Sequence, residues 1–555
     1  MKILILCHSF NSLTQRIFVE LNKEHLVSIE FDINEAIYES AVNLFNPDLI
    51  IAPFLKRKIP KNIWKNYPTL IIHPGIPGDR GPSSLDWAII NEEKTWGVTV
   101  LAANEEYDGG DIWDFEIFDL PPNTSKSSLY RKQITESSVR CLLSTIEKIK
   151  NGAQPIPSAN FKKTFNPLML QKDRTIDWNS DSTDTILKKL NASDTRPGIL
   201  DDINGASVYL FHGVKEKNLR GEIKKILGIR DGAICLGTKD GAIWITHLKK
   251  KGEKTLKLPA TDVIPIDSPV KEYLAPWHKE ETFQEIYYEQ IGDVGYLYFD
   301  FYNGAISTDQ CQRLLSAYKK ALTYPTKVLV LMGGEDFWSN GIHLHKIENA
   351  ISPAEESWKN INAINDLVES IILTTDRLTV SALRGNAGAG GVFLALAFDF
   401  VWARQGLILN PHYKSMGNLF GSEYWTYLLP KRIGSLKARE ITDRKLPMGT
   451  IEALDLGLIT KIFENLEEIK ALSGQLAQDK EYKNKLSLKT LNLERDQKIK
   501  PLNLYRQEEL EKMRLNFFGF DASYHVARYN FTYNIPHSRT PRHLAPHRGL
   551  NFKGA

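Results

Sequence analysis

Residues 69–89 read TLIIHPGIPGDRGPSSLDWAI, an apolar run that ends on a histidine, His73, and is followed by a turn rich in Pro, Gly and Arg. A buried strand ordinarily ends without an ionisable group, so this residue asks for a role. Upstream, MKILILC and PDLIIAP are two further apolar runs, separated by a helical pattern, SLTQRIFVELNKE, and an extended piece, VSIEFDI. Short apolar runs alternating with helical segments predict an α/β domain built on a parallel, doubly wound sheet. In such sheets the ligand crevice lies at the carboxyl ends of the strands, which is where His73 falls.

A length of 555 residues exceeds what one core serves and predicts about two to four domains. With 42% hydrophobic and 25% charged residues and a net charge of +3, the chain has an ordinary globular composition and no nucleic-acid surface is expected. The start, MKILILC, has no cleavage-site pattern, and no stretch reaches the roughly 20 apolar residues of a membrane span, so a cytoplasmic protein is expected. Cys7, Cys141, Cys235 and Cys311 form no C-x-x-C pair, which argues for core residues rather than a disulfide framework or a metal site.

The pattern divides the chain at residues 1–160 (the sheet domain), 161–270 (a small β-barrel-like domain), 271–292 (a charged linker), 293–475 (a second βα-alternating core) and 476–555 (a helical region with a basic tail). The second domain rests on a capped helix in RTIDWNSDSTDTILKKLNA and on short strands with Gly turns, ASVYLFHGV and GAICLGTKDGAIWITHLKK. The closing IPHSRTPRHLAPHRGLNFKGA contains no acidic residue.

Residues two apart on a strand share a face, so Ile71 points with His73 and counts as a site residue. Downstream, WGVTVLAANEEYDGGDIWDFEIF is a further strand followed by a turn that holds Asp108 before two glycines. An Asp there can pair with His73 and keep it a proton donor. On spacing alone, a satisfied core histidine and a turn-forming aspartate are the favoured readings.

HPGIPGDRGPSSLDWAI with GVTVLAANEEYDGGDI resembles the folate-dependent formyltransferases and formyltetrahydrofolate hydrolases over about residues 1–160, while TIDWNS and DTRPGIL resemble the carboxy-terminal domain of methionyl-tRNA formyltransferases. The resemblance implies that His73 and Asp108 act on the formyl group of 10-formyltetrahydrofolate, and that FLKRKIP, with Arg57, Ile59 and Pro60, lines the pterin pocket. The family's asparagine falls on Ile71, which cannot donate to an oxyanion. Losing one such donor typically costs about 100-fold to 1000-fold in rate, so a better nucleophile than an amine, or donors supplied elsewhere, are expected.

In the second core, SALRGNAGAGGVFLALAFDF and EDFWSNGIHLHKI each open a helix from a small-residue turn. With YNGAISTDQCQRLLSAYKKAL and IEALDLGLITKIF they resemble the crotonase (enoyl-CoA hydratase/isomerase) superfamily over about residues 293–465. That resemblance implies an oxyanion hole for a CoA thioester on the N–H groups of Ile342 and Gly390, and adenine contacts from Asn340, Ile342 and Leu344. Phe393 and His412 stand where hydratases carry two glutamates, so water addition is not expected. NPHYKSMGNLFGSEYW supplies His412, Tyr413 and Glu423 instead, with Tyr413 and Glu423 as the preferred proton-handling pair; packing of His412 and Tyr413 and helix capping by Glu423 is the competing reading.

The combination resembles the HypX (HoxX) type of hydrogenase maturation factor, an α/β fusion with a formyltransferase-like sheet, a small β-barrel-like domain, a crotonase-like spiral and a helical C-terminal region. It implies transfer of the formyl group to CoA and decarbonylation of formyl-CoA to carbon monoxide for nickel–iron hydrogenase, with a hydrogenase precursor or other maturation proteins as partners. CoA phosphates would need grips outside the crotonase core; Gln15, Arg131, Arg196 and Arg542 are the candidates. Two alternatives remain open: a formyltetrahydrofolate hydrolase or formyltransferase to another acceptor with a degenerate crotonase lobe, and a scaffold that binds folate and CoA without catalysis.

Overall fold

A computed structural model describes residues 1–266 and 269–549. The chain forms two compact units, Met1–Tyr273 together with the segment from Pro536 onward, and Leu274–Ile535.

The first unit begins with strands β1 (Lys2–Cys7), β2 (Leu26–Phe31), β3 (Leu49–Phe54), β4 (Thr69–His73), β5 (Asp79–Arg80), β6 (Thr95–Ala102), β7 (Ile112–Asp119) and β8 (Thr164–Phe165). The main sheet has the order β2-β1-β3-β4-β6-β7. Its first four strands are parallel, as expected for a doubly wound sheet, but β4–β6 and β6–β7 are antiparallel. The cause is local to the site. Between β4 and β6 the chain holds the turn, β5 and a helix of only 7 residues, Ser84–Ile90. No long crossover carries it back to the other edge of the sheet, so β6 starts where β4 ends, with His73 opposite Thr99.

Strands Ile199–Ile203, Ala206–Glu216, Ile226–Arg230, Ala233–Gly237, Ala242–Lys250 and Lys257–Pro259 build an antiparallel six-stranded sheet. The helix expected there spans Thr183–Ser193, and its cap is Ser182, whose side chain accepts from the Thr185 N–H. It lies so close that a Cβ on Gly213 would meet Leu190 at 2.6 Å.

Residues 537–549 do not extend the helical region; they pack along β2. Glu30 on β2 is fully buried, and Thr540, His547 and Arg548 all reach its carboxylate. Burial alone would raise Glu30, yet these hydrogen bonds hold it below the ordinary carboxylate range. A buried carboxylate without such partners would be strongly destabilising, and this fixes the course of the basic tail.

In the second unit a sheet runs Ile286–Ile291, Val294–Phe299, Val328–Met332, Leu378–Leu383, Phe400–Arg404, Lys461–Phe463, parallel from Val294 onward. A smaller sheet, Phe337–Ser339, Asn386–Gly388, Ile408–Asn410 and Met448–Gly449, completes the spiral. The stretch expected as a linker therefore contributes the edge strand Ile286–Ile291. Trp277 stacks on Tyr288 at 5.3 Å, and buried Glu285 is paired with Arg313 at 2.6 Å, which ties the stretch into the unit. Helices Leu466–Ala477, Tyr482–Ile499, Leu502–Phe518 and Ser523–Thr532 follow, and Met513, Phe517 and Tyr524 enter the main core. Among the described residues no helix is long and apolar enough to cross a membrane.

Candidate functional site

His73 closes β4 almost fully buried, and both of its ring nitrogens face carboxylates. Nδ1 is 3.5 Å from Asp108 Oδ2. Nε2 is 2.9 Å from Asp79 Oδ2, a partner the sequence reading missed because GDRG was taken only as a turn. Asp79 also accepts from Ser84 Oγ at 2.6 Å and from Asn166 Nδ2 at 2.8 Å. Asp108 adopts a positive φ of 50°, and the turn behind it is tight, since a Cβ on Gly110 would lie 1.7 Å from the Ala102 carbonyl oxygen.

A cavity of about 570 Å³ opens on this pair, and Arg57, Ile59, Ile71, His73, Asp108 and Arg131 line it. Ile71 presents only hydrocarbon to the reacting region. Pro60 precedes the helix Lys61–Trp64 and is not part of the wall. Gln15 also stands outside the wall, with its Nε2 donating to the Phe10 carbonyl at 2.8 Å, and Arg542 is exposed on the tail. Arg196 follows the wall residue Thr195. Arg196 belongs to a basic cluster: burial lowers Lys257 to about 8, and Arg131, Arg196 and Lys249 push it down further against the opposing charge of Asp194. Such a cluster is costly by itself and is relieved by a polyanion. We propose that this cluster grips the CoA phosphates: Arg131→Ala is then expected to weaken CoA binding about 10-fold or more by isothermal titration, and an unchanged affinity would remove Arg131 from the grip.

In the second unit Tyr413 Oη donates to Glu423 Oε2 at 2.5 Å, with both side chains buried. Phe393 stacks on the Tyr413 ring at 5.1 Å, and the bare Cα of Gly421 packs against that ring, since a Cβ there would lie 2.1 Å from it. Glu423 does not cap a helix. Its carboxylate covers Gly390, where a Cβ would meet Oε1 at 2.3 Å. Gly390 is the first residue of the helix Gly390–Leu396, so its N–H has no intrahelical acceptor. Gly341 adopts φ +78° and passes close enough that its Cβ would be 3.2 Å from the Gly390 nitrogen, which brings the Ile342 backbone beside the same spot. Asn340 Nδ2 donates to the Asn303 carbonyl at 2.9 Å, and Leu344 opens the helix Leu344–Asn349. His412 is buried two residues beyond the strand Ile408–Asn410.

Burial raises Glu423 to about 7 against the lowering hydrogen bond from Tyr413. Two residues that sequence reading did not find hold its unusual backbone, with φ of 60° at Glu423 and 57° at Tyr424. Asn365 Oδ1 accepts from the Glu423 N–H at 2.8 Å. Glu509, from the C-terminal helices, accepts from the Tyr424 N–H at 2.9 Å and from the Thr426 N–H at 2.8 Å. Burial pushes the Glu509 carboxyl up to about 8, and the charge of Glu423 adds to the shift. The four cysteines are free and buried, and burial raises the thiols of Cys141 and Cys235 to about 12.

Residues 14–146 match the family model described as formyl transferase, residues 169–261 that of the formyl transferase C-terminal domain, and residues 301–532 that of enoyl-CoA hydratase/isomerase. Along its whole length the chain is 48% identical to the hydrogenase maturation factor HoxX of Bradyrhizobium diazoefficiens, covering 99% of this chain and 97% of that one. The chain belongs to the HypX/HoxX family of hydrogenase maturation factors. The crystal structure of HypX from Aquifex aeolicus in complex with tetrahydrofolic acid superimposes with a TM-score of 0.97 at 47% identity, covering 100% of both chains. Methionyl-tRNA formyltransferase of Thermotoga neapolitana is 31% identical over 38% of this chain and 68% of its own length. This HypX/HoxX chain is thus a maturation factor with a formyltransferase-like and a crotonase-like part.

Proposed function

We propose that this HypX/HoxX chain moves the formyl group of 10-formyltetrahydrofolate onto the CoA thiol and then decarbonylates the thioester, delivering carbon monoxide to the iron of nickel–iron hydrogenase. The observation that carries this reading is the buried Tyr413–Glu423 pair beside the Gly390 backbone, in a chain that also holds the His73 cavity. The tetrahydrofolic acid bound by the Aquifex aeolicus relative supports the donor half. The CoA half rests on the resemblance to crotonases, on the basic cluster near Arg131 and on the bare Cα positions at Gly341 and Gly390.

In the first step a sulfur–carbon bond forms, the bond from N10 to the formyl carbon breaks, and the thiol proton passes to N10. His73, backed by Asp108, is placed to carry that proton. A thiol is a better nucleophile than an amine, which offsets the oxyanion donor missing at Ile71. In the second step the carbon–sulfur bond breaks and the formyl hydrogen ends on the leaving thiolate, with no oxidant or reductant required. Glu423 takes the formyl proton, Tyr413 holds the carboxylate in line, and the N–H groups of Ile342 and Gly390 meet the carbonyl oxygen. Burial of both acid–base groups keeps out water that would hydrolyse the thioester. The acceptor is a hydrogenase precursor, reached in the cytoplasm.

The test is anaerobic incubation of the full chain with 10-formyltetrahydrofolate, with and without CoA, using a haem protein to trap carbon monoxide. A signal that requires CoA is expected. Formate released independently of CoA would reduce the chain to a folate hydrolase carrying a crotonase fold for another purpose.

A further inference from the structure

A histidine has two ring nitrogens, and in a neutral ring only one carries hydrogen. At His73 the surroundings decide which. The Asp79 carboxylate beside Nε2 is fully engaged as an acceptor, with Oδ2 facing His73 at 2.9 Å and Ser84 Oγ at 2.6 Å, and Oδ1 facing Asn166 Nδ2 at 2.8 Å. Burial disfavours its charge, but the hydrogen bonds with His73, Ser84 and Asn166 outweigh it and hold Asp79 below the usual carboxylate range. An ionised carboxylate only accepts, and both ring nitrogens face one, but only Asp79 lies at hydrogen-bond distance, 2.9 Å from Nε2 against 3.5 Å between Nδ1 and Asp108 Oδ2; the hydrogen of a neutral ring therefore belongs on Nε2, and Nδ1 keeps a lone pair toward the cavity.

We infer that Asp79 is the positioning residue that sets the His73 tautomer and so makes Nδ1 the proton-accepting atom of the formyl site; this rests on the formyl-transfer reading given above.

Three features of the chain serve that one contact. The Cα of Gly75 is bare where it must be, since a Cβ would lie 2.4 Å from both His73 Nε2 and Asp79 Oδ2. The turn is pinned through its backbone, with Thr99 Oγ1 donating to the Gly75 carbonyl at 2.8 Å and Trp96 Nε1 to the Pro74 carbonyl at 3.0 Å. β5 pairs with β8 and thereby brings Asn166 onto Asp79.

Asp79→Asn keeps the shape and reverses the hydrogen bonding. Asn166 Nδ2 donates at the Oδ1 position, so the new amide oxygen is expected to stay there. The amide NH₂ then faces His73, while Ser84 Oγ still has the Pro74 carbonyl at 2.9 Å to donate to. The NH₂ donates to Nε2, and the ring hydrogen moves to Nδ1. In a serine-protease triad the equivalent wrong-tautomer change costs about 10⁴-fold in rate.

The experiment reads the ring itself. Full-length protein labelled with ¹⁵N-histidine, without any substrate, is followed by NMR, with the His73 signal assigned by its loss in His73→Gln. Nε2 is expected to carry hydrogen in the wild type, and the hydrogen is expected on Nδ1 in Asp79→Asn. Release of tetrahydrofolate from 10-formyltetrahydrofolate and CoA should fall by about 10²- to 10⁴-fold in the variant, with tetrahydrofolate affinity within a few-fold of wild type. A hydrogen-free Nε2 in the wild type, or the same ring state in both proteins, would overturn the inference, and the wild-type spectrum alone decides this even where the variant folds poorly. If the wild type releases no tetrahydrofolate under any condition, the formyl-transfer reading falls, while the ring signal still judges Asp79.

Discussion

His73→Ala is expected to lower tetrahydrofolate release from 10-formyltetrahydrofolate by about 10²- to 10⁴-fold, the range that a positioned acid–base group supplies. The loss should appear in kcat, because Arg57, Ile59 and the rest of the cavity wall remain to bind the substrate. Alanine also strips Asp79 of one partner, leaving Ser84 and Asn166. Breaking a buried pair from one side costs about 3–5 kcal/mol at the upper end, so the variant should also unfold earlier in urea. His73→Gln separates the two effects, since its amide can donate to Asp79 but offers no ring nitrogen to the cavity. It should match alanine in rate and exceed it in stability. Asp79 titrates below its unfolded value, so its contribution is complete above about pH 4 and fades as the pH falls through the folded value. The stability gap between wild type and alanine should therefore narrow only in acid. Equal rates in wild type and both variants would remove His73 from the chemistry.

The parts of this site that could be read in the sequence are those whose geometry is local. An apolar run ending in His73 places that residue at a strand end, and an Asp before two glycines marks a turn that can face it. Asp79 carries no such mark, because its role depends on a bare Cα at Gly75 and on Asn166, 87 positions away. The tail is harder still. Thr540 meets Glu30 across 510 positions, and composition alone sees only a basic end. The same holds for Glu509, which lies on a helix read simply as charged and yet supports the Tyr424 backbone 85 positions earlier. Alternation was enough to suggest a doubly wound sheet, but the reversal at β6 follows from where the short helix Ser84–Ile90 leaves the chain, which periodicity does not encode. The edge strand at Ile286–Ile291 was hidden by the charged residues before it, of which Glu285 is buried and paired with Arg313.

Glu423→Gln should separate the two proposed steps. Carbon monoxide is expected to fall by about 10²- to 10⁴-fold, while tetrahydrofolate release with CoA stays within a few-fold of wild type, because the His73 cavity is untouched. Wild-type carbon monoxide formation should rise with pH through about 7 as Glu423 ionises, and the variant should lose that limb. The same substitution should also stabilise the protein at high pH. Burial raises Glu423 in the folded state, so between about pH 4.5 and 7 the native protein keeps a proton that the unfolded chain has released. Stability therefore declines as the pH climbs through that window, by ~3 kcal/mol for a shift of this size. Gln cannot ionise and escapes the decline, while its amide oxygen still accepts from Tyr413 Oη. Urea midpoints should coincide near pH 5 and favour the variant near pH 8. A variant that loses activity and gains stability is what a carboxylate kept buried for chemistry predicts. Equal midpoints at both pH values, with carbon monoxide unchanged, would return Glu423 to an ordinary packing role.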